Sequence, residues 1–229
     1  NLSGPDERIG SYALDEAAGA EFSPLNIVVL QREERPAALS MGMPEDAYEH
    51  NRGLITKTEV RAVALGKLRL LPHHLLWDLG AGCGSLGLEA SRLLWRGRVI
   101  AVERQAERVA QIKNNQARFG AANLEVIQGE MPGALQDLAR PDRVFVGGAG
   151  PALPGVLQVA GNALKDGGLI VVAAVRLETM QEARTLLADM GLRMDLAQVQ
   201  ISRGAPLGGD VYMKALNPVW LISGSKEAP

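Results

Sequence analysis

Five short apolar runs constrain the fold of this chain more than any other feature of its sequence. They lie at residues 75–79, 99–102, 124–127, 144–146 and 169–175. Runs of Val, Ile and Leu that do not alternate with polar residues are typical of strands buried on both faces of a sheet. Helical patterns accompany them at residues 85–94, 105–119, 156–164 and 177–190. Together they predict an α/β fold with a Rossmann-like, mostly parallel and doubly wound sheet.

The pattern changes after this alternation. Residues 194–201 and 219–222 predict two more strands, and a loop rich in Gly and Pro at residues 204–209 separates them. No helical pattern lies between these two strands, and a parallel pair would need such a crossover. We therefore expect antiparallel terminal strands at one edge of the sheet.

The residues before the first apolar run predict less regular structure. Residues 46–71 predict a helix, stopped by Pro72, with an apolar face made of Val60, Ala64, Leu65 and Leu68. Residues 25–30 predict a lone strand, and the charged cluster at residues 32–35 predicts the start of a linker. The first forty residues, with this strand and linker, are too few to bury a core of their own.

Composition limits the classes of function. The 229 residues suffice for one sizeable core, and the net charge of −2 offers no field that attracts nucleic acid. No apolar run reaches the ~18 residues of a membrane span. The single cysteine and the lack of a leader pattern predict a cytoplasmic protein, and the three histidines show no metal-ligand spacing, so no metal is expected.

A glycine-rich segment follows the first apolar run. Residues 78–87 read Asp-Leu-Gly-Ala-Gly-Cys-Gly-Ser-Leu-Gly, between a predicted strand and a predicted helix. Glycines at alternate positions let the backbone turn tightly and approach a ligand, and the helix start offers free amide donors. Glu103 ends the second strand, where a carboxylate can accept both ribose hydroxyls. These features predict a nucleoside site.

The charge of Asp78 bears on which nucleoside binds. Gly82, Gly84 and Gly87 also satisfy the dinucleotide fingerprint, so a nicotinamide or flavin enzyme is the alternative. A pyrophosphate would lie poorly beside the Asp78 carboxylate, whereas the sulfonium and ammonium of S-adenosylmethionine are attracted to it. We expect S-adenosylmethionine, with S-adenosylhomocysteine as product, and an adenine contact at Gly129 and Glu130 after the third strand.

Several segments resemble one family. They are Gly-Leu-Ile-Thr-Lys-Thr-Glu-Val-Arg at residues 53–61, the glycine segment preceded by Trp77, Val-Gly-Gly at residues 146–148 and Asn-Pro at residues 217–218. Over residues 43–224 the chain resembles the decarboxylating precorrin methyltransferases of cobalamin biosynthesis. The glycine segment is shared by a large superfamily of class I methyltransferases dependent on S-adenosylmethionine, whereas Ile-Thr-Lys-x-Glu-x-Arg with the later Gly-Gly is more particular.

The resemblance implies an activity and a domain organisation. It implies methylation of a tetrapyrrole, a precorrin, at C15 with decarboxylation of the C12 acetate, in a homotetramer. Residues 2–30 are similar to the tail of another tetrapyrrole methylase often fused upstream. We expect residues 1–40 to be that tail plus a linker, residues 41–229 to be the methyltransferase domain, and a C5-methylating domain to precede them covalently.

The resemblance also implies site residues. The expected cofactor contacts, besides Asp78, are Thr56, Gly80, Ala81, Gly82, Cys83, Gly84, Glu103, Gly129, Glu130 and Met131. Cys83 departs from the family, in which Thr is commoner, and a position that lines the ligand with its backbone tolerates the change.

The many carboxylates of the expected substrate call for basic side chains. The candidates are Lys57, Arg61, Arg176 and Arg203, each with a solvated surface charge as the alternative. No catalytic acid can be assigned; Glu59 and Lys57 are candidates, and an ion pair of Glu59 with Arg61 or Lys57 is the alternative. Two other functions stay open, an RNA methyltransferase and a non-catalytic nucleotide-binding module, although neutral charge disfavours the first.

Overall fold

The five apolar runs form the parallel strands of one sheet in the computed structural model, which describes residues 4–31, 35–51 and 53–227. The strands are β1 (Leu75–Leu79), β2 (Arg98–Glu103), β3 (Leu124–Gln128), β4 (Arg143–Val146) and β5 (Leu169–Ala174). Every residue of β1 is buried, as expected for a central strand. Leu79 pairs with Val102 on one side and Val146 on the other, so the carboxyl ends of these strands lie at one edge.

The terminal strands complete the sheet. They are β6 (Arg193–Val199) and β9 (Val219–Ser225), and β9 runs antiparallel to both β5 and β6. The seven strands have the order β3-β2-β1-β4-β5-β9-β6. The predicted α/β fold, mostly parallel with antiparallel terminal strands, is confirmed.

Five helices of the sheet's own unit cover both faces of the sheet. They are α2 (Thr58–Leu68), α3 (Ser85–Leu93), α4 (Ala106–Phe119), α5 (Leu153–Ala163) and α6 (Leu177–Asp189), and a short helix α1 (Leu14–Ala18) lies earlier in the chain. Residues of α5 and α6 form one hydrophobic cluster with the sheet, and residues of α2, α3 and α4 form a second cluster on the opposite face. The doubly wound arrangement follows from strands that are apolar on both faces.

The helix predicted at residues 46–71 is shorter in the structure. Only a 3₁₀ turn forms at Glu45–Ala47, and α2 begins at Thr58. The predicted apolar face of Val60, Ala64, Leu65 and Leu68 is buried. The helix ends before Pro72, because Arg69 takes the left-handed conformation with φ 47°.

The predicted loop at residues 204–209 is a two-stranded hairpin instead. Its strands are β7 (Ser202–Leu207) and β8 (Asp210–Ala215). Gly208 and Gly209, with φ 56° and 99°, form the turn between them. Positive φ at both central residues is what a tight hairpin turn requires, so the glycines that predicted a loop are the turn residues.

The structure divides into two units, Asn1–Arg35 and Pro36–Pro229. In the first unit, residues 25–30 are exposed and form no strand, because they pair with no other strand among the described residues. The predicted charged cluster at residues 32–35 lies outside the described residues except for Arg35. Within the described ranges, no helix has the length and apolar character needed to cross a membrane.

Candidate functional site

The loop between β1 and α3 is built by three glycines in the left-handed conformation. Gly80, Gly82 and Gly84 have φ of 71°, 61° and 79°. A Cβ on Gly80 would lie 2.0 Å from the carbonyl oxygen of Gly148, so the loops after β1 and β4 touch through their backbones. A Cβ on Gly84 would meet Ile112 of α4 at 2.9 Å. The loop is therefore fixed on two sides.

The loop is unobstructed at Gly82, which we call its open point. A Cβ there would meet no atom within 4 Å among the described residues. Its amide donates to Glu103 Oε2 at 3.0 Å, while Glu103 Oε1 accepts from the Gln105 amide at 3.1 Å. Glu103 is thus held at the end of β2, directly beside the open part of the loop. The structure thus brings Glu103 and the glycine loop, both predicted to contact the cofactor, next to each other.

Asp78 lies fully buried behind the loop. Its Oδ2 accepts from the Gly87 amide at 3.0 Å, and its Oδ1 has no hydrogen-bond partner among the described residues. Burial raises the pKa of Asp78 to about 7, the Gly87 amide lowers that pKa, and the charge of Glu103 raises it. A buried carboxylate oxygen without a partner is costly. It fits a ligand that brings a donor or a positive charge, such as the ammonium and sulfonium of S-adenosylmethionine.

The end of β3 lies beside Glu103. Glu103 pairs with Gln128, and the Gly129 amide donates to the Glu103 carbonyl at 3.1 Å. Glu130 is exposed and Met131 is half-buried against the core. The structure therefore brings the predicted adenine-side residues next to the predicted ribose carboxylate.

An amino-terminal segment, described at residues 42–51 and 53–58, is joined to the glycine loop through α4. Asn115 of α4 donates to the Glu49 carbonyl at 2.9 Å and to the Cys83 carbonyl at 3.1 Å, and it accepts from the Glu49 amide at 2.8 Å. Gln111 donates to Asn51 at 2.6 Å. Asn115 thus joins this segment to the glycine loop.

Cys83 contributes its backbone to the loop and keeps its side chain inside the protein. The thiol is buried, and burial raises the pKa of Cys83 above its usual range. The thiol form is therefore the stable one, and the side chain fills space as a small apolar group.

Arg61 does not reach the surface, which corrects the prediction of a substrate contact. It is fully buried, and its Nε donates to Glu89 of α3 at 2.8 Å. Its Nη1 donates to the Thr56 carbonyl at 2.7 Å, and Nη2 donates to the Met43 carbonyl. Arg61 is therefore a structural residue that fixes the segment carrying Thr56.

Glu59 is paired with Arg203, not with Arg61 or Lys57 as predicted. Arg203 Nε donates to Glu59 Oε1 at 2.9 Å, and Arg203 Nη1 and Nη2 donate to Glu45 at 3.0 and 2.7 Å. The hydrogen bonds from Arg203 lower the pKa of Glu59, so this carboxyl is ionised at neutral pH. This pairing supports the alternative of a structural ion pair for Glu59, with Arg203 as its partner, and the role of a catalytic acid stays untested.

The other two predicted basic residues are accessible. Lys57 is partly exposed, and its Nζ lies 3.9 Å from Glu45. Arg176 follows β5 at the same edge as the loop, with its side chain 72% exposed and its Nε 3.5 Å from Glu178. Across the described ranges, no group of three or more His, Cys, Asp or Glu side chains is placed to bind a metal.

Three polar residues of the site were missed from the sequence. Glu89 and Asn115 lie on buried helix faces, and Glu45 precedes a helix whose start was predicted wrongly. A polar residue at helical spacing within an apolar stripe is the signal that could have found Asn115, since Val109 and Ile112 precede it by six and three positions. No comparable signal identifies Glu45.

Known proteins are similar to this chain in sequence and in fold. A family model described as a precorrin methyltransferase domain matches residues 46–226. The probable cobalt-precorrin-6B C(15)-methyltransferase (decarboxylating) of Pyrobaculum calidifontis is 38% identical over 185 residues, 80% of this chain and 94% of that protein. The precorrin-6Y C(5,15)-methyltransferase (decarboxylating) of Sinorhizobium sp is 36% identical over 98% of this chain, which spans only 54% of that protein.

A solved structure agrees with these relatives. The crystal structure of precorrin-6Y C5,15-methyltransferase from Geobacter metallireducens GS-15 matches with a TM-score of 0.78 and 38% sequence identity. The match covers 81% of this chain and 98% of that chain. Because the family model spans most of the sequence and close relatives cover most of it as well, the chain belongs to the precorrin methyltransferase family.

Proposed function

We propose that this chain methylates C15 of a precorrin and decarboxylates its C12 acetate in cobalamin biosynthesis, with S-adenosylmethionine as donor. The observation that carries the proposal is the glycine loop with an open point at Gly82 and the unpartnered Oδ1 of Asp78 behind it. Family membership supports the same reaction, since the Pyrobaculum relative is named as a decarboxylating C(15)-methyltransferase.

The donor site consists of residues at the carboxyl ends of β1, β2 and β3. Gly80 to Gly84 supply backbone, Glu103 faces the ribose, Gly129 to Met131 flank the adenine, and Asp78 faces the cationic end. Thr56 approaches from the amino-terminal segment. When bound, S-adenosylmethionine supplies a methyl group on a positively charged sulfur, and S-adenosylhomocysteine is the product.

The chain contributes to methyl transfer mainly through position. The loops after β1 and β4 fix each other at Gly80 and Gly148, and a fixed wall of this kind can align the acceptor carbon with the methyl group of the donor. Asp78 stabilises positive charge in the bound donor. No general base is required at a carbon that is already nucleophilic.

The substrate contacts that remain open are Lys57 and Arg176. Both are accessible, whereas the guanidinium groups of Arg61 and Arg203 already donate to carboxylates of the protein. Lys57 is our candidate for donating a proton during decarboxylation, because Glu59 is held in an ion pair with Arg203. A Lys57→Met variant that loses decarboxylation while it keeps C15 methylation supports this role.

Calorimetry and turnover assays test the proposal. We expect the protein to bind S-adenosylmethionine with micromolar affinity and to methylate and decarboxylate a precorrin intermediate, and not tRNA. Methylation of tRNA alone would identify an RNA methyltransferase. Donor binding without any methyl transfer would identify a nucleotide-binding module. Preferential binding of a dinucleotide would contradict the donor assignment.

The fusion to an upstream domain is also a proposal. The Sinorhizobium relative matches 98% of this chain, including its amino-terminal part, whereas the Pyrobaculum relative matches 80%. This difference supports residues 1–40 as the tail and linker of a C5-methylating domain, and residues 41–229 as the methyltransferase domain. The cytoplasmic location stays a prediction and is tested by cell fractionation.

We further propose that the protein forms a homotetramer through its hairpin. All of β8 is exposed, including Val211, Tyr212 and Met213, and Leu207 of β7 is exposed as well. Apolar side chains on an exposed two-stranded sheet are typical of an interface. Light scattering should give four times the mass of one chain. The double variant Val211→Lys, Met213→Lys should have a smaller mass in the same measurement. A wild-type monomer at micromolar concentration would contradict this assembly.

A further inference from the structure

The hairpin makes one concentrated set of polar contacts with the rest of its unit. In β7 only Arg203 and Ala205 are half-buried, and every residue of β8 is exposed. Arg203 is the residue that reaches Glu45 and Glu59, more than 140 positions earlier in the sequence. The position of the hairpin and the position of the start of α2 are therefore linked through this side chain.

The guanidinium group of Arg203 lies between the carboxylates of Glu45 and Glu59 and donates to both. We call this arrangement of three side chains the clamp. Nε and Nη2 donate to the two oxygens of Glu59 at 2.9 and 2.5 Å, while Nη1 and Nη2 donate to those of Glu45 at 3.0 and 2.7 Å. Forked contacts of this kind fix orientation as well as distance, which a lysine cannot reproduce. The side chain is 37% exposed, so the clamp is accessible to solvent.

Glu45 connects this clamp to the first turn of α2. Its Oε1 accepts from the Thr58 amide and from Thr58 Oγ1, both at 3.0 Å, and Thr58 Oγ1 also donates to the Met43 carbonyl at 3.0 Å. The hydrogen bonds from Arg203 and Thr58 lower the pKa of Glu45 to about 2. Glu45 thus stays ionised, and the clamp persists throughout the physiological pH range.

The two clamped carboxylates bracket the segment that is joined to the glycine loop. Between Glu45 and Glu59 the chain passes Glu49, which Asn115 joins to the Cys83 carbonyl, and Thr56, whose carbonyl Arg61 fixes. A displacement of Glu45 would therefore be transmitted along a short segment to the proposed donor site.

We propose that Arg203 is a positioning residue for the donor site: by holding Glu45 and Glu59, it keeps the described residues between them, 45–51 and 53–59, beside the glycine loop and couples the hairpin to donor binding. This inference rests on the proposed function for its effect on methyl transfer. It replaces the predicted substrate contact, since the Arg203 donors already point to protein carboxylates. Arg203 does not touch the reacting atoms in this role.

Arg203→Ala, Arg203→Lys and Glu59→Gln test the inference, with Arg184→Ala on the exposed face of α6 as the matched control. We expect Arg203→Ala to weaken S-adenosylmethionine binding about tenfold in calorimetry. The KM for the donor should rise by a similar factor, while kcat changes less than threefold. Arg203→Lys and Glu59→Gln should fall between Arg203→Ala and wild type, and Arg184→Ala should match wild type.

Hydrogen exchange of the donor-free protein separates this inference from the proposed function. Arg203→Ala should speed amide exchange at residues 45–58 at least tenfold and leave the strands β1 to β5 unchanged. This readout needs no donor, so a wild-type protein that binds none would contradict the proposed function alone. Unchanged exchange and donor affinity in a folded Arg203→Ala variant would overturn the inference. A rise only in the KM of the precorrin would overturn it too, in favour of a substrate contact.

Discussion

Gly80 and Gly82 share a left-handed backbone conformation but differ in surroundings, so alanine should affect them differently. A left-handed conformation costs a non-glycine residue about 1–2 kcal/mol. In Gly80→Ala the new Cβ would also lie 2.0 Å from a backbone oxygen of Gly148, which must then move. We expect a loss of roughly 3 kcal/mol or more in the free energy of unfolding, measured by denaturant titration.

Gly82→Ala is the matched variant. Its Cβ would point into space that is open among the described residues, so stability should fall by only about 1 kcal/mol. The same Cβ would occupy space in the proposed donor site, and calorimetry should show donor affinity reduced at least tenfold. Equal stability losses in the two variants, with donor binding retained in Gly82→Ala, would contradict this account of the loop.

Asp78 should make both stability and donor binding depend on pH. Burial raises the pKa of Asp78 from 3.8 to about 7, so the contribution of Asp78 to the free energy of unfolding is most favourable below pH 4 and is lost as pH rises toward 7. The full loss in the free energy of unfolding is roughly 4 kcal/mol. It is measured by denaturant titration of wild type and Asp78→Asn across this pH range. The asparagine variant should lack this dependence. A donor with positive charge favours the ionised carboxylate, so wild-type affinity should rise between pH 5.5 and 8.

At the scale of elements, α2 is docked on α3 by the buried pair of Arg61 and Glu89. Glu89 also accepts from the Gly42 and Met43 amides at 3.0 and 3.1 Å and from the Tyr48 hydroxyl at 2.9 Å. Glu89→Gln would leave a buried guanidinium without its counter-charge, a change that costs about 3–5 kcal/mol. We expect a loss of that size in chemical denaturation.

The exposed pair of Arg98 and Glu125 provides the control for this prediction. Their atoms lie 3.8 Å apart and both side chains are about half exposed. Glu125→Gln should change the free energy of unfolding by less than about 1 kcal/mol, because solvent screens such pairs. Losses of the same size for Glu89→Gln and Glu125→Gln would show that burial of the Arg61 pair has no special role.

At the scale of the whole molecule, the second unit should be stable without the first. Both hydrophobic clusters lie within residues 36–229, and the family model begins at residue 46. Removal of residues 1–35 should shift the unfolding midpoint of the remaining protein by less than about 3 °C in calorimetry. Donor affinity should also be retained. A shortened protein that fails to unfold cooperatively would contradict the independence of this unit.

The sequence predicted the sheet because its signal is local and strong. Apolar runs such as residues 169–175 can only be buried on both faces, and the intervening helical patterns leave a parallel arrangement as the solution. The glycine loop and Glu103 could be predicted for the same reason, since their spacing follows from the turn of one strand into the next helix. The prediction of a strand at residues 25–30 was wrong, because an apolar run forms a strand only when another strand pairs with it.

The sequence by itself determined the α/β fold and the family, and it predicted a nucleoside site at the glycine loop, since periodicity and glycine spacing act over a few neighbouring residues. Only the tertiary structure decided which charges meet. Arg61 was predicted to contact substrate and lies fully buried on Glu89, and Arg203 contacts carboxylates more than 140 positions away. Ion-pair partners so far apart in sequence produce no periodic pattern that could predict them. They meet only because the hairpin packs against the start of α2.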